Sequence, residues 1–360
     1  LGSIWAYYEL GWGGFWFWDP VENVSLMPWL CLTALLHTIF TLEKRDIFHS
    51  WAVILSITTF ALSMSGTFLV RSGILNSIHT FANDPSRGVF ILCFLFILIF
   101  LSILIYFFYQ KTIKENLTKP YLISKETAVL LNNLFMMFFL SVVLIGTVYP
   151  IFLEVINNEK ISIGPPFYHK LLIPFLIPFL FIMAIGPNIK WINDKIGKIN
   201  FTQVSIFIIS IIVSYFFVKK YGVSYLLSLP LFILSIFLFF ITIKDFFGKK
   251  VNISQKISHF GFSLLILSIL LNGVLSKEFS SNMKVGDERK FLNKTIKFES
   301  IKVIKEQNYQ SLIGEFNIKD ENNSLSLKPE LRIYDQPQTI TSEADISSTI
   351  FSDNFLVFNV

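Results

Sequence analysis

The chain is organised around an aromatic stretch near its start, Gly11-Trp12-Gly13-Gly14-Phe15-Trp16-Phe17-Trp18-Asp19-Pro20-Val21-Glu22-Asn23. Three tryptophans and two phenylalanines stand within seven of these residues, and the two glycines between Trp12 and Phe15 allow close backbone approach. Flat, amphipathic indole rings suit a membrane–water interface and equally the surface of a large planar ligand. The stretch therefore predicts either an aromatic belt at the end of a membrane helix or an aromatic platform for a ligand.

Long apolar runs follow the aromatic stretch. The 360 residues are 53% hydrophobic and 15% charged, whereas ordinary soluble domains carry roughly 25% charge. About 20 apolar residues in a helix span the roughly 30 Å hydrocarbon core of a bilayer. Runs of this kind lie at residues 24–42, 51–70, 89–109, 128–149, 171–187, 201–218, 223–243 and 257–275. They predict an all-α polytopic membrane protein with about eight transmembrane helices.

Basic residues in the loops predict how these helices are oriented. Alternate loops place thirteen lysines and arginines on one side of the membrane and six on the other. Because basic residues accumulate in cytoplasmic loops, the side with thirteen is predicted to be the cytoplasm. The aromatic stretch, the loop 71–88 and the residues after 275 are then expected on the external side.

The composition changes at about residue 276. Charged and polar residues return and alternate with apolar ones, as in 295–301 and 314–318, which predicts half-exposed strands. The first residue is not methionine and the last residues alternate like a strand, so we expect a fragment of a longer protein. The expected parts are an external aromatic segment at 1–23, a membrane helical domain at 24–275, and a small C-terminal external β-domain, truncated, at 276–360.

His37 and His259 lie within predicted membrane helices, where a titratable ring is costly unless it has a partner. At 1.5 Å per residue, His37 is expected ~20 Å below the external end of its helix, and His259 ~3 Å inside the cytoplasmic end of the last one. Both are thus expected in the cytoplasmic half, where they could meet across one buried ligand. Imidazole is a usual axial ligand of haem iron. The alternative is two unrelated histidines, each hydrogen-bonded to a neighbouring helix.

A third histidine, His79, lies in the external loop 71–88, on the same side as the aromatic stretch. Arg71 and Arg87 flank it, and a guanidinium pairs well with a carboxylate such as a haem propionate. The alternative is an ordinary loop histidine between two interfacial arginines. His169 is expected to be a residue of a helix end.

The sequence contains no motif for several other kinds of chemistry. Cys31 and Cys93 lie in apolar runs and predict neither a disulfide nor a thiol motif. There is no Cys-x-x-Cys-His, nucleophile elbow, Walker loop or His-Glu-x-x-His. The net charge of +5 arises from loop lysines and does not indicate nucleic acid. Asp19 and Glu22 also have ordinary interpretations, as a turn former before Pro20 and as a partner of the helix dipole.

The aromatic stretch closely resembles the WWD signature of haem-handling membrane proteins. Its continuation, Met27-Pro28-Trp29-Leu30 and Thr33-Ala34-Leu35-Leu36-His37, resembles one branch of them, the CcmF family of cytochrome c haem lyase subunits. The resemblance runs in order along the chain. It is carried further by Phe68–Gly73, Ser77–His79, Asp84–Gly88, Ile163–Pro166, Ile185–Pro187, His259–Gly261, Asn308–Tyr309, Pro329–Tyr334 and Thr341–Ile346.

The resemblance implies a role for each matching residue. His37 and His259 match the membrane histidines that hold a b-type haem by bis-His ligation. His79 matches an external histidine that ligates the iron of the haem being delivered. The platform expected around that haem comprises Trp12, Gly13, Gly14, Trp16, Trp18, Asp19 and Arg71.

The sequence also departs from the family pattern. Phe15 stands where a tryptophan is common, which keeps an aromatic ring there. The second external histidine would lie before Leu1, so the delivered-haem site is expected to be incomplete in this chain. A last membrane helix would follow Val360.

The resemblance implies a haem lyase of the bacterial inner membrane, with the aromatic segment and the β-domain facing the periplasm. Haem from the chaperone CcmE would be attached by thioether bonds to the Cys-x-x-Cys-His motif of apocytochrome c, with CcmH/CcmI-type subunits handling the apocytochrome. Two alternatives remain: a WWD-type haem exporter or haem protein of a simpler system, and a membrane transporter gated by the aromatic run. The first would not explain the 276–360 domain, and the second predicts broken helices around a polar cavity.

Overall fold

The computed structural model describes residues 2–9, 14, 16–74, 77, 84–110, 120–158, 161–192, 201–223, 225–248, 251–320, 324–336, 338–350 and 352–359. The chain forms two compact units. The smaller unit combines Leu1–Phe17, which contains helix α1 (Gly2–Glu9), with Lys277–Val360. The larger unit is Trp18–Ser276.

Eight helices in the described part of the larger unit are long and apolar enough to span a membrane. They are α2 (Pro20–Arg45), α3 (His49–Ser72), α4 (Pro85–Tyr109), α5 (Lys125–Asn157), α6 (Pro165–Ile185), α7 (Phe201–Tyr221), α8 (Tyr225–Phe247) and α9 (Ile253–Leu275). A 3₁₀ turn, Gly186–Asn188, continues α6. Each predicted apolar run falls on one of these helices, which confirms the predicted fold class.

Several helices begin earlier than the apolar runs indicated. α2 begins at Pro20, α4 at Pro85 and α6 at Pro165. Proline suits the first helical position because its φ is already helical and its missing N–H would be unpaired there. At α2, the Asp19 carboxylate accepts a backbone N–H of the first turn at 2.9 Å, and the Glu22 carboxylate accepts the Asp19 N–H at 3.1 Å. These polar first turns extend the helices beyond the apolar runs.

Polar pairs join the helices that carry the two membrane histidines to their neighbours. On α5, Asn133 Nδ2 donates to the Thr38 hydroxyl of α2 at 2.7 Å, and Thr38 directly follows His37. Thr242 of α8 and Ser263 of α9 share a hydrogen bond of 2.8 Å, one helical turn from His259. All four polar residues are buried. Hydrogen bonds between membrane helices contribute about 0.6–2 kcal/mol each, and here they fix the positions of α2 and α9.

A charged contact closes one end of the membrane unit. Arg45, the last residue of α2, donates from Nε to the buried carboxylate of Glu126 in the first turn of α5 at 2.7 Å. The Ile192 N–H donates to the same carboxylate at 3.0 and 3.1 Å. Three segments distant in sequence therefore meet at one carboxylate, which is satisfied by charge-assisted hydrogen bonds.

The smaller unit is built mainly from antiparallel strands. They are β1 (Glu288–Phe291), β2 (Lys294–Lys305), β3 (Tyr309–Lys319), β4 (Ser324–Leu327), β5 (Glu330–Tyr334), β6 (Thr339–Glu343), β7 (Asp345–Ser348) and β8 (Asp353–Leu356). One sheet has the order β1-β2-β3-β5-β6, with β4 also paired to β3, and β7 pairs with β8. The predicted strands at 295–301 and 314–318 lie in β2 and β3. The core is aromatic: Phe298 and Phe316 face each other across the ladder and stack at 4.4 Å beside Phe358.

Helix α1 packs on the β7–β8 pair. The Tyr7 hydroxyl donates to Asp353 Oδ2 at 3.0 Å, and the Tyr7 ring lies 5.2 Å from the Phe355 ring. Burial of the phenol, together with the Asp353 carboxylate, raises the pKa of Tyr7 to about 12. These contacts explain why the first residues group with the β-strands.

Candidate functional site

The structure brings His37 and His259 together from two helices. Their ring centroids are 6.4 Å apart, and the ring planes are inclined by 33°. His37 lies on α2 and His259 on α9, so 222 positions of sequence separate them (259 − 37). Two partly buried imidazoles in a membrane unit form the kind of pair that marks a functional site.

The two histidines lie at more similar distances from the ends of their helices than the sequence predicted. α2 continues for eight residues after His37 and ends at Arg45, whereas α9 begins at Ile253, six residues before His259. At 1.5 Å per residue these lengths are about 12 Å and about 9 Å. The expected depth of ~3 Å for His259 is wrong because α9 begins at Ile253 and not at 257. With eight alternating spans, the end of α2 and the start of α9 lie on the same side of the membrane.

A hydrogen bond orients the His37 ring. His37 Nδ1 lies 2.8 Å from the carbonyl oxygen of Thr33, one turn earlier on α2. A carbonyl oxygen only accepts, so Nδ1 carries the proton and Nε2 keeps its lone pair. This is the tautomer of a metal-ligating histidine whose other nitrogen is fixed by the backbone.

The spacing of the pair fits two axial ligands of one metal ion. With a metal–nitrogen bond of about 2 Å, and a further ~1 Å from nitrogen to ring centre, opposed imidazoles have centroids about 6 Å apart. The observed separation is 6.4 Å. Among the described residues, no three His, Cys, Asp or Glu side chains converge on a point where they could hold a metal ion.

A pocket adjoins His259 between α6, α8 and α9. Apolar side chains, including Met183, Ala184 and Ile241, line one part of it. Lys256, three residues before His259 on α9, lines it as well. The Lys256 ammonium donates to the Gly248 carbonyl oxygen at 2.5 Å. The pocket therefore combines an apolar wall, an imidazole, a cation and the Asp245 carboxylate.

A second cluster forms around Trp18, at the opposite end of α2 from the charged contact. The Trp18 indole stacks on the Tyr168 ring of α6, with centroids 4.2 Å apart and planes inclined by 7°. Trp18 Nε1 donates to His169 Nε2 at 3.4 Å, and the two rings meet edge-on at 6.2 Å. Trp18 is partly exposed and His169 is exposed, whereas Tyr168 is only 1% exposed.

Asn23 ties this cluster to the first turn of α2. Its side-chain amide donates to the Tyr168 hydroxyl at 2.9 Å and to the Trp18 carbonyl oxygen at 3.2 Å. Asn23 is 1% exposed. Behind the ring, a Cβ added to Gly146 of α5 would lie 2.7 Å from Tyr168 atoms, so only glycine leaves room for the phenol. Tyr168 is therefore held on several sides.

Asp19 connects the aromatic stretch to the loop between α3 and α4. Besides capping α2, its Oδ2 accepts the Ser77 hydroxyl at 2.6 Å. The base of this loop is closed by the Asp84 N–H, which donates to the Arg71 carbonyl oxygen at 2.9 Å. Hydrogen bonds from Ser86 and the backbone lower the pKa of the Asp84 carboxyl. These hydrogen bonds involve Ser77 and the two residues Arg71 and Asp84 that flank the loop.

The remaining predicted site residues are distributed as follows. His79, Trp12 and Gly13 lie outside the described residues. Trp16 and Gly14 belong to the smaller unit, where Trp16 is half-buried and the Phe17 ring packs against Gly14. Arg71 is exposed at the end of α3.

Four residues around Trp18 and Asp19 were not predicted as site residues, namely Asn23, Ser77, Tyr168 and His169. His169 was interpreted as a residue of a helix end, and it does lie in the first turns of α6. The sequence contained one signal for His169: it follows an aromatic residue, in a loop expected on the same side of the membrane as Trp18. Nothing in the sequence indicates that Tyr168 stacks on Trp18.

Two families match separate parts of the chain. The family described as Cytochrome C assembly protein matches residues 1–79, which contain the aromatic stretch, His37 and His79. The family described as CcmF C-terminal beta-sandwich matches residues 274–359.

Curated relatives match almost the whole chain. Cytochrome c-type biogenesis protein CcmF of Pseudomonas aeruginosa is 34% identical over 371 residues, covering 99% of this chain and 56% of that protein. The protein of the same description from Escherichia coli strain K12 is 33% identical over 363 residues, covering 98% and 56%. Cytochrome c-type biogenesis protein CycK of Rhizobium meliloti is 47% identical over 192 residues, covering 53% and 28%. The chain spans about half the length of the first two of these relatives.

A solved structure described as cytochrome c heme lyase CcmF has the same fold. The TM-score is 0.74, with 97% of this chain and 55% of that chain covered at 20% identity. The arrangement of membrane helices and C-terminal strands is thus shared with that structure.

Proposed function

Because this chain belongs to the CcmF family of cytochrome c-type biogenesis proteins, we propose that it carries haem-handling parts of a cytochrome c haem lyase. One part is a resident haem b inside the membrane. The other is an external surface where haem, as substrate, is held for attachment to apocytochrome c. The observation that carries this proposal is the meeting of His37 and His259 at 6.4 Å.

His37 and His259 are the residues that would hold the resident haem through its iron. The Thr33 carbonyl oxygen keeps the His37 tautomer that leaves Nε2 free to ligate. Lys256, in the pocket beside His259, provides a cation for a carboxylate of the haem. When bound, this haem supplies one-electron exchange, which would keep the iron of the delivered haem reduced.

The substrate haem is held externally, with His79 as a ligand of its iron. Trp12, Trp16 and Trp18 provide flat surfaces for the macrocycle. Gly13 and Gly14 allow close backbone approach, and Arg71 pairs with a propionate. Asp19 acts as a positioning residue, because its carboxylate caps α2 and holds Ser77, two residues before His79.

The reaction attaches two cysteine thiols to the two vinyl groups of haem. At each vinyl group the S–H adds across the C=C bond: sulfur bonds to one carbon and hydrogen to the other, so no atom is lost. The reactivity resides in haem and thiols, and the protein contributes orientation, iron ligation and exclusion of side reactions.

The family supports a set of partners and a location. Haem comes from the chaperone CcmE, and CcmH/CcmI-type subunits present the apocytochrome Cys-x-x-Cys-His segment. The protein lies in the bacterial inner membrane, with the aromatic stretch and the β-domain in the periplasm. The β-domain provides a docking surface for these partners.

A spectrum of the full-length protein tests the proposal. Protein purified in detergent should show a b-type reduced-minus-oxidised spectrum, with about one haem per chain by pyridine haemochrome. His79→Ala should keep this spectrum and abolish production of c-type cytochromes. A folded protein without haem would contradict the proposal and favour the transporter alternative. Normal cytochrome maturation in the His79→Ala strain would refute the role of His79.

A further inference from the structure

We propose that α6 is the support of the external aromatic platform: Tyr168 and His169 are positioning residues that fix the Trp18 indole for a planar tetrapyrrole. The inference rests on the proposed function, because it concerns what orients the external haem surface. It adds helix α6 to that surface, which the sequence had placed in the aromatic stretch and the loop 71–88.

The two contacts restrict different motions of the indole. Stacking on Tyr168 at 4.2 Å and 7° sets the plane of the ring. The contact from Trp18 Nε1 to His169 Nε2 limits rotation within that plane. At 3.4 Å this hydrogen bond is long, so it contributes direction more than energy. Together they leave the indole one orientation while it stays partly exposed.

Tyr168 can hold Trp18 because Tyr168 is itself fixed. Asn23 donates to its hydroxyl at 2.9 Å. The back of the ring lies against Gly146. One face of the indole is therefore covered by an immobile phenol ring, and the exposed part of the indole is preorganised for a flat ligand. Preorganisation raises affinity, because an ordered side chain loses little further freedom on binding.

His169 contributes through the acceptor lone pair on Nε2. A neutral imidazole supplies this acceptor when its proton is on Nδ1, and a glutamine carbonyl can supply an equivalent acceptor. A leucine side chain has similar bulk and no acceptor. The pair His169→Gln and His169→Leu therefore separates hydrogen bonding from packing. Lys170, the next residue, is exposed and provides the matched control, Lys170→Ala.

The test is a titration of the purified full-length protein, with its resident haem in place, by zinc protoporphyrin IX. Binding is followed by quenching of tryptophan fluorescence, and the Trp18–Tyr168 stack by near-ultraviolet circular dichroism. His169→Leu and Tyr168→Leu should each weaken binding about tenfold, the order expected when one ordered aromatic side chain is freed. His169→Gln and Lys170→Ala should bind like the wild type.

The outcomes separate the inference from the proposed function. If the wild type binds porphyrin and both leucine variants bind equally well, the inference is overturned and the proposed function stands. If the wild type keeps its resident haem and binds no external porphyrin, the external site of the proposed function fails, and this inference fails with it. Should Tyr168→Leu lose the resident haem through misfolding, the two His169 variants decide, because His169 is exposed and its replacement leaves the core intact.

Discussion

Gly146→Ala gives a sharp test of the Tyr168–Trp18 stack, because it adds one methyl group on a helix that carries neither residue. The added Cβ would lie 2.7 Å from Tyr168 Cε1 and Oη, and 2.8 Å from Cζ. Ordinary contacts begin near 3.4 Å, so the phenol must move by about 0.7 Å. It cannot swing away freely, because it is 1% exposed and hydrogen-bonded to Asn23.

The magnitude follows from two opposing effects. Overpacking a buried site costs about 1–3 kcal/mol, whereas glycine to alanine within a helix gains about 0.5–1 kcal/mol. We therefore expect a net loss of about 1 kcal/mol (range about 0–2.5) in the free energy of unfolding, with a weaker Trp18–Tyr168 signal in near-ultraviolet circular dichroism. The matched control is Gly273→Ala in α9, where no atom lies within 4 Å of the added Cβ.

Unfolding of the two variants in detergent, titrated with dodecyl sulfate, measures the difference. Gly273→Ala should be as stable as the wild type or more stable, because only the helix propensity changes. A Gly146→Ala protein as stable as Gly273→Ala, with an unchanged near-ultraviolet spectrum, would refute the close approach of α5 to Tyr168. It would also remove one of the contacts that hold the aromatic platform.

Further predictions concern the ligands, the charged contact and the β-domain. His37→Ala and His259→Ala should each remove the b-type haem absorption; a variant with full bis-His absorption would contradict the assignment. Glu126→Ala should lower stability in a detergent unfolding titration by about 3 kcal/mol, near the lower end for a broken buried pair, because its arginine partner is partly exposed. Glu126→Gln keeps an oxygen acceptor and removes the charge, so it should lose less than Glu126→Ala; a Glu126→Gln protein as stable as the wild type would show that charge is unimportant there. Hydrogen bonding from Lys302 lowers the pKa of Glu315 from 4.5 to about 2, so its contribution to stability is present above pH 4.5 and is lost as the pH falls towards 2. Carbon-13 NMR of the Glu315 side-chain carboxyl would measure its titration midpoint, and a midpoint near pH 4.5 would contradict the hydrogen bond from Lys302.

The sequence predicts the membrane helices well because their signal is local. An apolar run of bilayer length indicates a span wherever it occurs, and all eight runs fall on helices. The helix starts were misplaced because hydropathy does not register polar caps. Asp19 and Glu22 form a capping box around Pro20, a pattern readable from the sequence that places the start of α2 at residue 20.

Contacts between residues distant in sequence could be predicted only where the chemistry of a residue limited its possible partners. The sequence allowed His37 and His259 to meet, because both lie in predicted membrane helices where an imidazole needs a partner, and the family resemblance implied that they form a pair. The contact between Trp18 and His169 joins residues 151 positions apart, and that between Asp19 and Ser77 joins residues 58 apart. Serine and an exposed histidine are common in loops, so neither residue type indicates its partner.

The order Trp-Asp-Pro now has a physical reason. Pro20 begins α2 and disfavours the helical region for the residue before it, so Asp19 is extended, with φ −60° and ψ 143°. In that conformation the carboxylate caps the helix and still reaches Ser77. Immediately before Asp19, the chain turns at Trp18. Its φ of 59° lies in the left-handed region, which costs about 1–3 kcal/mol for a bulky residue. Stacking on Tyr168, and the hydrogen bonds from Asn23 and to His169, offset this strain. Among the described residues, Trp18 is the tryptophan that stacks on α6, and its strained backbone supports the proposed role as a fixed platform for a planar ligand, whereas an aromatic belt in lipid needs no such turn.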